Sequence, residues 1–152
     1  MPTERPVQVH LLPSLVPADG LAGGLAIVID VLRATTVIVH ALAAGCRSVI
    51  PCGEIEEAKR RAAELRREGK VLLAGERHGQ PIPGFDLGNS PGEFTCKVCK
   101  DAALVMTTTN GTRALLRAAE AERVLAAAFV NFSAVCEQLG PVTGRLRSVG
   151  VS

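Results

Sequence analysis

Short apolar runs alternate with amphipathic stretches along the chain, at the spacing typical of strand and helix units. Runs that predict strands lie at residues 7–12, 25–30, 48–52, 70–75, 103–107 and 123–128. Stretches that predict helices lie at residues 34–44, 54–68, 112–119 and 132–139. This order predicts an α/β fold, a layered and mostly parallel sheet flanked by helices.

Two segments carry the strongest local patterns. Residues 25–30 read LAIVID, a continuous apolar run that ends in Asp30, and such a run predicts a central strand buried on both faces. Residues 54–68 predict an amphipathic helix with Ile55, Ala58, Ala62 and Leu65 on one stripe. The charges on the other face of that helix are interpreted as a solvated surface.

The segment between residues 76 and 91 is polar, rich in Gly and Pro, and long for a simple connection. Long loops at strand ends usually carry function. At its end Ser90, Pro91 and Glu93 have the order of N-cap, N1 and N3 in a capping box. A short helix is therefore expected to begin there.

The length of 152 residues suits one domain. We expect an α/β domain over residues 1–139, with residues 140–152 as a tail or the start of a continuation. Residues 146–151 could add one strand without its crossover helix, which would leave an apolar edge or face. A homo-oligomer that covers this surface is therefore expected.

Composition excludes several classes of protein. The net charge of +2 is nearly balanced, and the chain has four Phe but no Trp or Tyr, so nucleic acid is not an expected partner. Neither a leader pattern nor an apolar run of roughly 18 residues occurs, so we expect no membrane span and a cytoplasmic location. Five unevenly spaced cysteines suit reduced thiols, including the Cys96 and Cys99 pair, which lacks a second CxxC.

Three polar clusters each follow a predicted strand, and the carboxyl ends of parallel strands form the crevice where ligands bind. The clusters are Asp30, Arg33, Thr35 and Thr36; then Glu76, Arg77, Asp86, Asn89 and Ser90; then Thr107, Thr108, Thr109, Asn110, Gly111, Thr112 and Arg113. Carboxylates, guanidinium groups and helix-start donors together favour metal-dependent phosphoryl chemistry. Taken singly, each cluster has an alternative interpretation: Asp30 and the threonines as helix caps, Asp86 as a capped turn, and Glu76 with Arg77 as a surface ion pair.

Four strings carry a resemblance to a known family: IDVLRATT from Ile29, LLAGERHG from Leu72, GFDLGNSP from Gly84 and TTTNGTRAL from Thr107. Together they resemble the motifs of the 2-phosphosulfolactate phosphatases, the ComB family, over residues 25–135. The resemblance implies a ComB-like fold and Mg2+-dependent hydrolysis of 2-phospho-3-sulfolactate, a small anionic phosphate ester, on the route to coenzyme M. The family continues through further motifs that have no counterpart after Leu139, so the chain resembles a shortened member. His78 lies where the family motif is open, and no role is carried onto it.

The resemblance and the clusters assign the following roles. Asp30, Glu76 and Asp86 are the candidate ligands for Mg2+, and the candidate catalytic residues are Asp30, Arg33, Glu76 and Arg77. The candidate substrate-binding residues are Thr35, Asn89, Ser90, Thr108, Thr109, Asn110, Gly111 and Arg113. Because position 32 is Leu rather than the second acid of an Asp-x-Asp pair, attack by water is favoured over attack by Asp30. A non-catalytic anion-binding remnant and a structural α/β module are the alternatives.

Overall fold

The computed structural model describes residues 7–139. Its strands are β1 Leu25–Ile29, β2 Ser48–Pro51, β3 Val71–Arg77, β4 Gln80–Pro81, β5 Ala103–Thr107 and β6 Arg123–Ala127. Its α-helices are α1 Ala34–Ala43, α2 Ile55–Leu65, α3 Cys96–Cys99, α4 Gly111–Ala118 and α5 Phe132–Leu139. Short 3-10 helices occupy Pro13–Leu15, Pro91–Glu93 and Phe129–Asn131. The predicted α/β class is confirmed.

Two sheets are formed within this part of the chain. The larger has the order β2-β5-β3-β4, with β5 parallel to β2 and to β3, and β4 antiparallel to β3. The smaller is the parallel pair β1-β6, with Ile29 opposite Ala127. The sheet is therefore mostly parallel, as the alternating pattern predicts.

The helices separate these sheets into layers. Helix α2 packs against β3 and β5 on one face of the larger sheet, whereas α1 and α4 contact strands of both sheets. Successive residues of β5 serve the two sides: Leu104 and Met106 belong to the core with α1, and Val105 belongs to the core with α2. This alternation is expected of a strand buried on both faces.

Helix α2 confirms the clearest helix prediction, with bounds narrower than residues 54–68. Ala58 and Ala62 are fully buried on the predicted stripe. At its start Glu54 and Glu57 form a capping box, and Glu57 Oε2 accepts a hydrogen bond from the Gly53 N–H at 2.8 Å. The helix therefore begins where its backbone donors find acceptors.

One strand prediction is wrong, and another is right about the strand but wrong about its position and burial. Residues 7–12 form no strand. Their apolar side chains are not packed against a sheet, since Leu11 is 58% exposed and Leu12 is 52% exposed. The run at 25–30 forms β1, but β1 is not central, since within residues 7–139 it pairs with β6 alone. Leu25 and Ile27 are exposed, so β1 is buried on one face rather than two.

Strand β3 continues two residues beyond the predicted end at Gly75, so the segment after it is shorter than expected. His78 and Gly79, both with positive φ, then turn the chain into the antiparallel strand β4, as two-residue hairpins require. Gly75 has φ +149, and a Cβ there would lie 2.9 Å from the Thr107 carbonyl carbon. Only glycine allows β3 and β5 to approach this closely.

The remaining boundaries agree closely with the sequence patterns. Ser90 and Glu93 form the predicted capping box, although the helix that they open is a single 3-10 turn. The strand considered at residues 146–151 and the segment 140–152 lie outside the described residues. Among the helices of residues 7–139, none combines the length and apolar character that a bilayer span needs.

Candidate functional site

A pocket of about 270 Å³ opens where the three polar clusters meet. Its lining residues come from the loop after β1, the β3-β4 hairpin, the segment before Pro91 and the loop after β5: Asp30, Leu32, Arg33, Glu76, His78, Gly79, Asn89, Thr108, Thr109 and Asn110. The clusters therefore converge, as expected of the carboxyl ends of parallel strands.

Glu76 lies at the centre of a network of donors. Its Oε1 accepts a hydrogen bond from the Thr109 N–H at 2.6 Å. Its Oε2 accepts from the Gly79 N–H at 2.8 Å and from Thr109 Oγ1 at 3.0 Å. Burial acts to raise the pKa of Glu76, but these hydrogen bonds and the adjacent Arg77 charge outweigh it and hold the pKa below its ordinary value. Glu76 is therefore ionised at neutral pH.

Asp30 follows β1 directly and is 7% exposed. Burial raises the pKa of Asp30, a backbone hydrogen bond from Ala34 opposes this, and the negative charge of Glu76 adds to the rise. A Cβ on Gly111 would lie 2.6 Å from Asp30 Oδ2. Glycine at the start of α4 thus leaves room for the Asp30 carboxylate.

Arg33 is the only arginine among the described residues that line the pocket. Its Nη1 donates a hydrogen bond to Ser90 Oγ at 3.0 Å. Ser90 therefore contacts Arg33 instead of lining the pocket itself. The capping box at Ser90 fixes the loop that holds this contact.

Asn89 lines the pocket and carries an acceptor that no group of the described residues uses. The residue is 7% exposed, and its Oδ1 is buried without a hydrogen-bond partner in the structure. An unpaired buried carbonyl oxygen is costly unless a cation or a donor occupies the space before it. This atom therefore points to a ligand that supplies one.

The threonines after β5 have two different sets of hydrogen-bond partners. Thr108 and Thr112 cap each other, because each backbone N–H donates to the other's Oγ1 at 3.0 Å. Thr109 serves Glu76, and its Oγ1 also accepts from the His78 N–H at 3.1 Å. Asn110, the N-cap position of α4, lines the pocket.

Six predicted site residues do not line the pocket: Ser90 and Gly111, which adjoin Arg33 and Asp30, and Thr35, Arg77, Asp86 and Arg113. Arg77 donates to the Gly53 carbonyl oxygen and to Thr107 Oγ1. Asp86 Oδ2 accepts from the Leu73 N–H at 2.8 Å, and Arg113 pairs with exposed Glu54. The fully buried Thr35 Oγ1 lies 2.7 Å from both the Asp30 and Ala127 carbonyl oxygens. These side chains stabilise the frame around the pocket.

Sequence reasoning gave no site role to three lining residues, Leu32, His78 and Gly79. The two-residue spacing between β3 and β4 could have revealed the turn, since Gly after a polar residue is a hairpin signal. Its consequence is that the Gly79 N–H reaches Glu76.

The pocket carries oxygen donors of the kind that a hard cation binds. Within residues 7–139, no group of three or more His, Cys, Asp or Glu side chains is placed to hold a metal ion. Asp30 and Glu76 supply two carboxylates, and Asn89 Oδ1 supplies an unpaired oxygen. Mg2+ typically takes only one or two carboxylates and keeps several waters, so the oxygen donors fit that ion.

Comparison with known proteins identifies relatives that align with most of this chain. Residues 10–144 match the family model of 2-phosphosulpholactate phosphatase. A protein of Clostridium perfringens named probable 2-phosphosulfolactate phosphatase is 42% identical over 134 residues, which cover 88% of this chain and 54% of that protein. A Symbiobacterium thermophilum protein of the same name is 49% identical over 123 residues, covering 81% and 52%. The chain spans about half the length of these curated relatives, and it belongs to the 2-phosphosulpholactate phosphatase family.

Proposed function

We propose that this chain carries the phosphate-ester site of a Mg2+-dependent phosphatase acting on 2-phospho-3-sulfolactate or a similarly small anionic monoester. The observation that carries the proposal is the meeting of Asp30, Glu76 and Arg33 in one pocket. Two acids and a guanidinium group beside an unpaired amide oxygen suit a phosphate held with a hard cation. Family membership supports the same reaction type.

In this proposal Asp30, Glu76 and Asn89 Oδ1 would hold Mg2+. The ion, when bound, would offset charge on the phosphoryl oxygens and acidify a bound water. The hydrogen bonds from Thr109 and Gly79 keep the Glu76 carboxylate ionised and oriented for that role. Asp86, which was assigned with them from sequence, contributes to the frame through Leu73 instead.

Arg33 would bind the anionic substrate. A guanidinium fork engages two oxygens of a phosphate or sulfonate at once, which an ammonium group cannot do. The hydrogen bond to Ser90 holds one end of this fork in place before substrate arrives. Thr109 and Asn110, at the start of α4, complete the polar wall of the pocket.

Water would be the nucleophile, with Asp30 placed to take its proton. The water oxygen bonds to phosphorus as the ester P–O bond breaks, and the departing alkoxide takes up the proton that Asp30 received, which gives the alcohol and inorganic phosphate and restores the Asp30 carboxylate. The transition state of such a transfer is loose, so positioning and charge stabilisation provide most of the rate. With sulfolactate as the alcohol, the reaction would belong to the formation of coenzyme M.

Phosphate release from the chain of the printed sequence tests the proposal. The panel is 2-phospho-3-sulfolactate, phospholactate and phosphoglycerate, each with Mg2+ and with EDTA. We expect Mg2+-dependent release, fastest with the sulfonated ester. Release that EDTA leaves unchanged would contradict the metal role, and faster turnover of another ester would reject the substrate. Tight phosphate binding without turnover would favour a non-catalytic anion-binding domain.

A further inference from the structure

His78 lines the pocket with a side chain to which residues 7–139 supply no hydrogen-bond partner. The residue is exposed and lies at the turn between β3 and β4. Its backbone N–H is engaged, but its imidazole is not. The pocket therefore contains an aromatic N–H donor that a ligand can use.

The backbone of this turn is held by the site itself. The His78 N–H donates to Thr109 Oγ1 at 3.1 Å, and the Gly79 N–H donates to Glu76 Oε2 at 2.8 Å. The antiparallel pairing of β3 with β4 closes the turn from the other side. The backbone of His78 is thus fixed before a ligand arrives, and only its side chain has to be ordered on binding.

The turn does not require an imidazole. His78 has φ +52 and Gly79 has φ +78, the left-handed conformations of a type I′ hairpin, for which Asn, Asp and Gly are the preferred residues. Histidine adopts this region less readily than glycine. Residues kept in such conformations cluster at ligand sites. The hairpin therefore explains the conformation at position 78 but not the choice of side chain.

A substrate with a second acidic group needs a donor beyond those that bind its phosphate, a step that rests on the proposed function. There Mg2+ and Arg33 bind the phosphate, and Asn110, at the N-cap of α4, lies where helix-start N–H groups favour phosphate as well. Asn89 offers its Oδ1 to the cation, and the lining threonines are hydrogen-bonded within the fold. His78 is on a separate element, the β3-β4 hairpin, and its donor is unassigned.

We propose that His78 is a specificity-determining residue, which binds the second acidic group of the substrate, a sulfonate or a carboxylate, through an imidazole N–H. Neutral imidazole already carries one N–H, so this contact does not depend on ionisation of His78. Hydrogen bonds to anionic oxygens are shorter and stronger than those between neutral groups. The site thereby selects phosphate monoesters with a second acidic group over simple alkyl phosphates.

Binding of two anions separates the two parts of the pocket. Inorganic phosphate probes the phosphate region. The probe for His78 is 3-sulfolactate, which carries a sulfonate and a carboxylate but no phosphate. Each is titrated into the chain with Mg2+ while NMR follows the histidine ring signals. We expect 3-sulfolactate to shift the His78 signal and to leave unchanged that of exposed His40 on α1, the internal reference.

Variants separate the side chain from the turn. His78→Gly removes the imidazole and suits the positive φ, so Tm should change little. Its affinity for 3-sulfolactate should fall at least about tenfold, and its affinity for inorganic phosphate should stay within about twofold. His78→Gln keeps a side-chain N–H and should keep most of the 3-sulfolactate affinity. The matched control His40→Gln, outside the pocket, should bind both anions like the unchanged chain.

The outcomes distinguish this inference from the proposed function. Equal 3-sulfolactate affinity in the chain and in His78→Gly would overturn the inference. Equal losses for both anions, or a loss in His78→Gln as large as in His78→Gly, would also overturn it. Binding of 3-sulfolactate through His78 without binding of inorganic phosphate would support this role of His78 and contradict the proposed function. Binding of neither anion would overturn both.

Discussion

Replacing Glu76 with Gln tests whether the centre of the site is held by its carboxylate. One of the two oxygens becomes an amide nitrogen, which cannot accept a hydrogen bond. If that nitrogen occupies the Oε2 position, the 2.8 Å bond from the Gly79 N–H is lost and two donors face each other. At the Oε1 position the same conflict arises with the Thr109 N–H at 2.6 Å. Neither orientation of the amide satisfies the site.

The expected magnitude follows from the loss of one hydrogen bond to a charged, largely buried group. Glu76 is 8% exposed, and such bonds contribute roughly 1.5–3 kcal/mol. For a domain of this size each kcal/mol corresponds to about 2–4 °C in Tm, so Glu76→Gln should lower Tm by roughly 3–12 °C. Thermal unfolding followed by far-UV circular dichroism measures this, since the chain has no Trp or Tyr for fluorescence.

Glu93→Gln is the matched control. Glu93 also accepts two backbone N–H bonds, from Gly88 at 2.8 Å and from Ser90 at 3.2 Å. Because Glu93 is exposed, water can replace the lost partner, and Tm should fall less than in Glu76→Gln. Equal or larger destabilisation by Glu93→Gln would refute the reasoning that burial makes the Glu76 network strong.

Three further predictions concern packing, pH and phosphate binding. Gly75→Ala should cost about 3 kcal/mol in urea unfolding, because its Cβ overlaps the neighbouring strand, whereas Gly92→Ala, with open space around it, should change little. Burial raises the pKa of Cys52 to about 11, so ionisation of this thiol favours the unfolded chain as pH rises from about 9 to about 11; Cys52→Ala should reduce that alkaline loss of stability. Arg33→Lys should weaken inhibition by inorganic phosphate about tenfold, and Arg113→Lys, outside the pocket, should leave it unchanged in the same assay.

Local pattern was sufficient to predict the three parallel strands β2, β3 and β5 of the larger sheet and its outer helix, but not the short strand β4. The runs that became β3 and β5 are apolar and bounded by polar residues, and both strands are buried. The stripe of α2 repeats at helical spacing, and Glu57 lies where a capping box needs it. Such features depend on residues close in sequence, so one sequence reveals them.

The position of β1 could not be predicted in this way. Its run is as apolar as β5, yet Leu25 and Ile27 remain exposed while every residue of β5 is buried. The difference comes from which elements flank each strand, and β1 contacts strand β6, which begins almost 100 residues later. Pairing over such a distance leaves no local signal.

The site itself was predicted in part. Asp30, Glu76 and Thr109 meet because each follows or ends a strand at one edge of the fold. Arg77 was expected beside Glu76, but successive side chains of a strand point to opposite faces, and β3 extends through both residues. A strand that ends at Gly75 does not impose this alternation, which is why the sequence did not separate Arg77 from the pocket lining.

The most direct test of the account compares Asp30→Asn with Asp86→Asn in the phosphate-release assay. Both changes remove one carboxylate charge, but only Asp30 lines the pocket, whereas Asp86 accepts a hydrogen bond from Leu73 outside it. In the protein that turns over the ester with Mg2+, we predict that Asp30→Asn lowers kcat/KM by at least about a hundredfold, with its circular dichroism spectrum unchanged. Asp86→Asn should retain kcat/KM within about threefold. Full activity in Asp30→Asn, or equal losses in the two variants, would contradict the assignment of this pocket as the site of phosphate-ester hydrolysis.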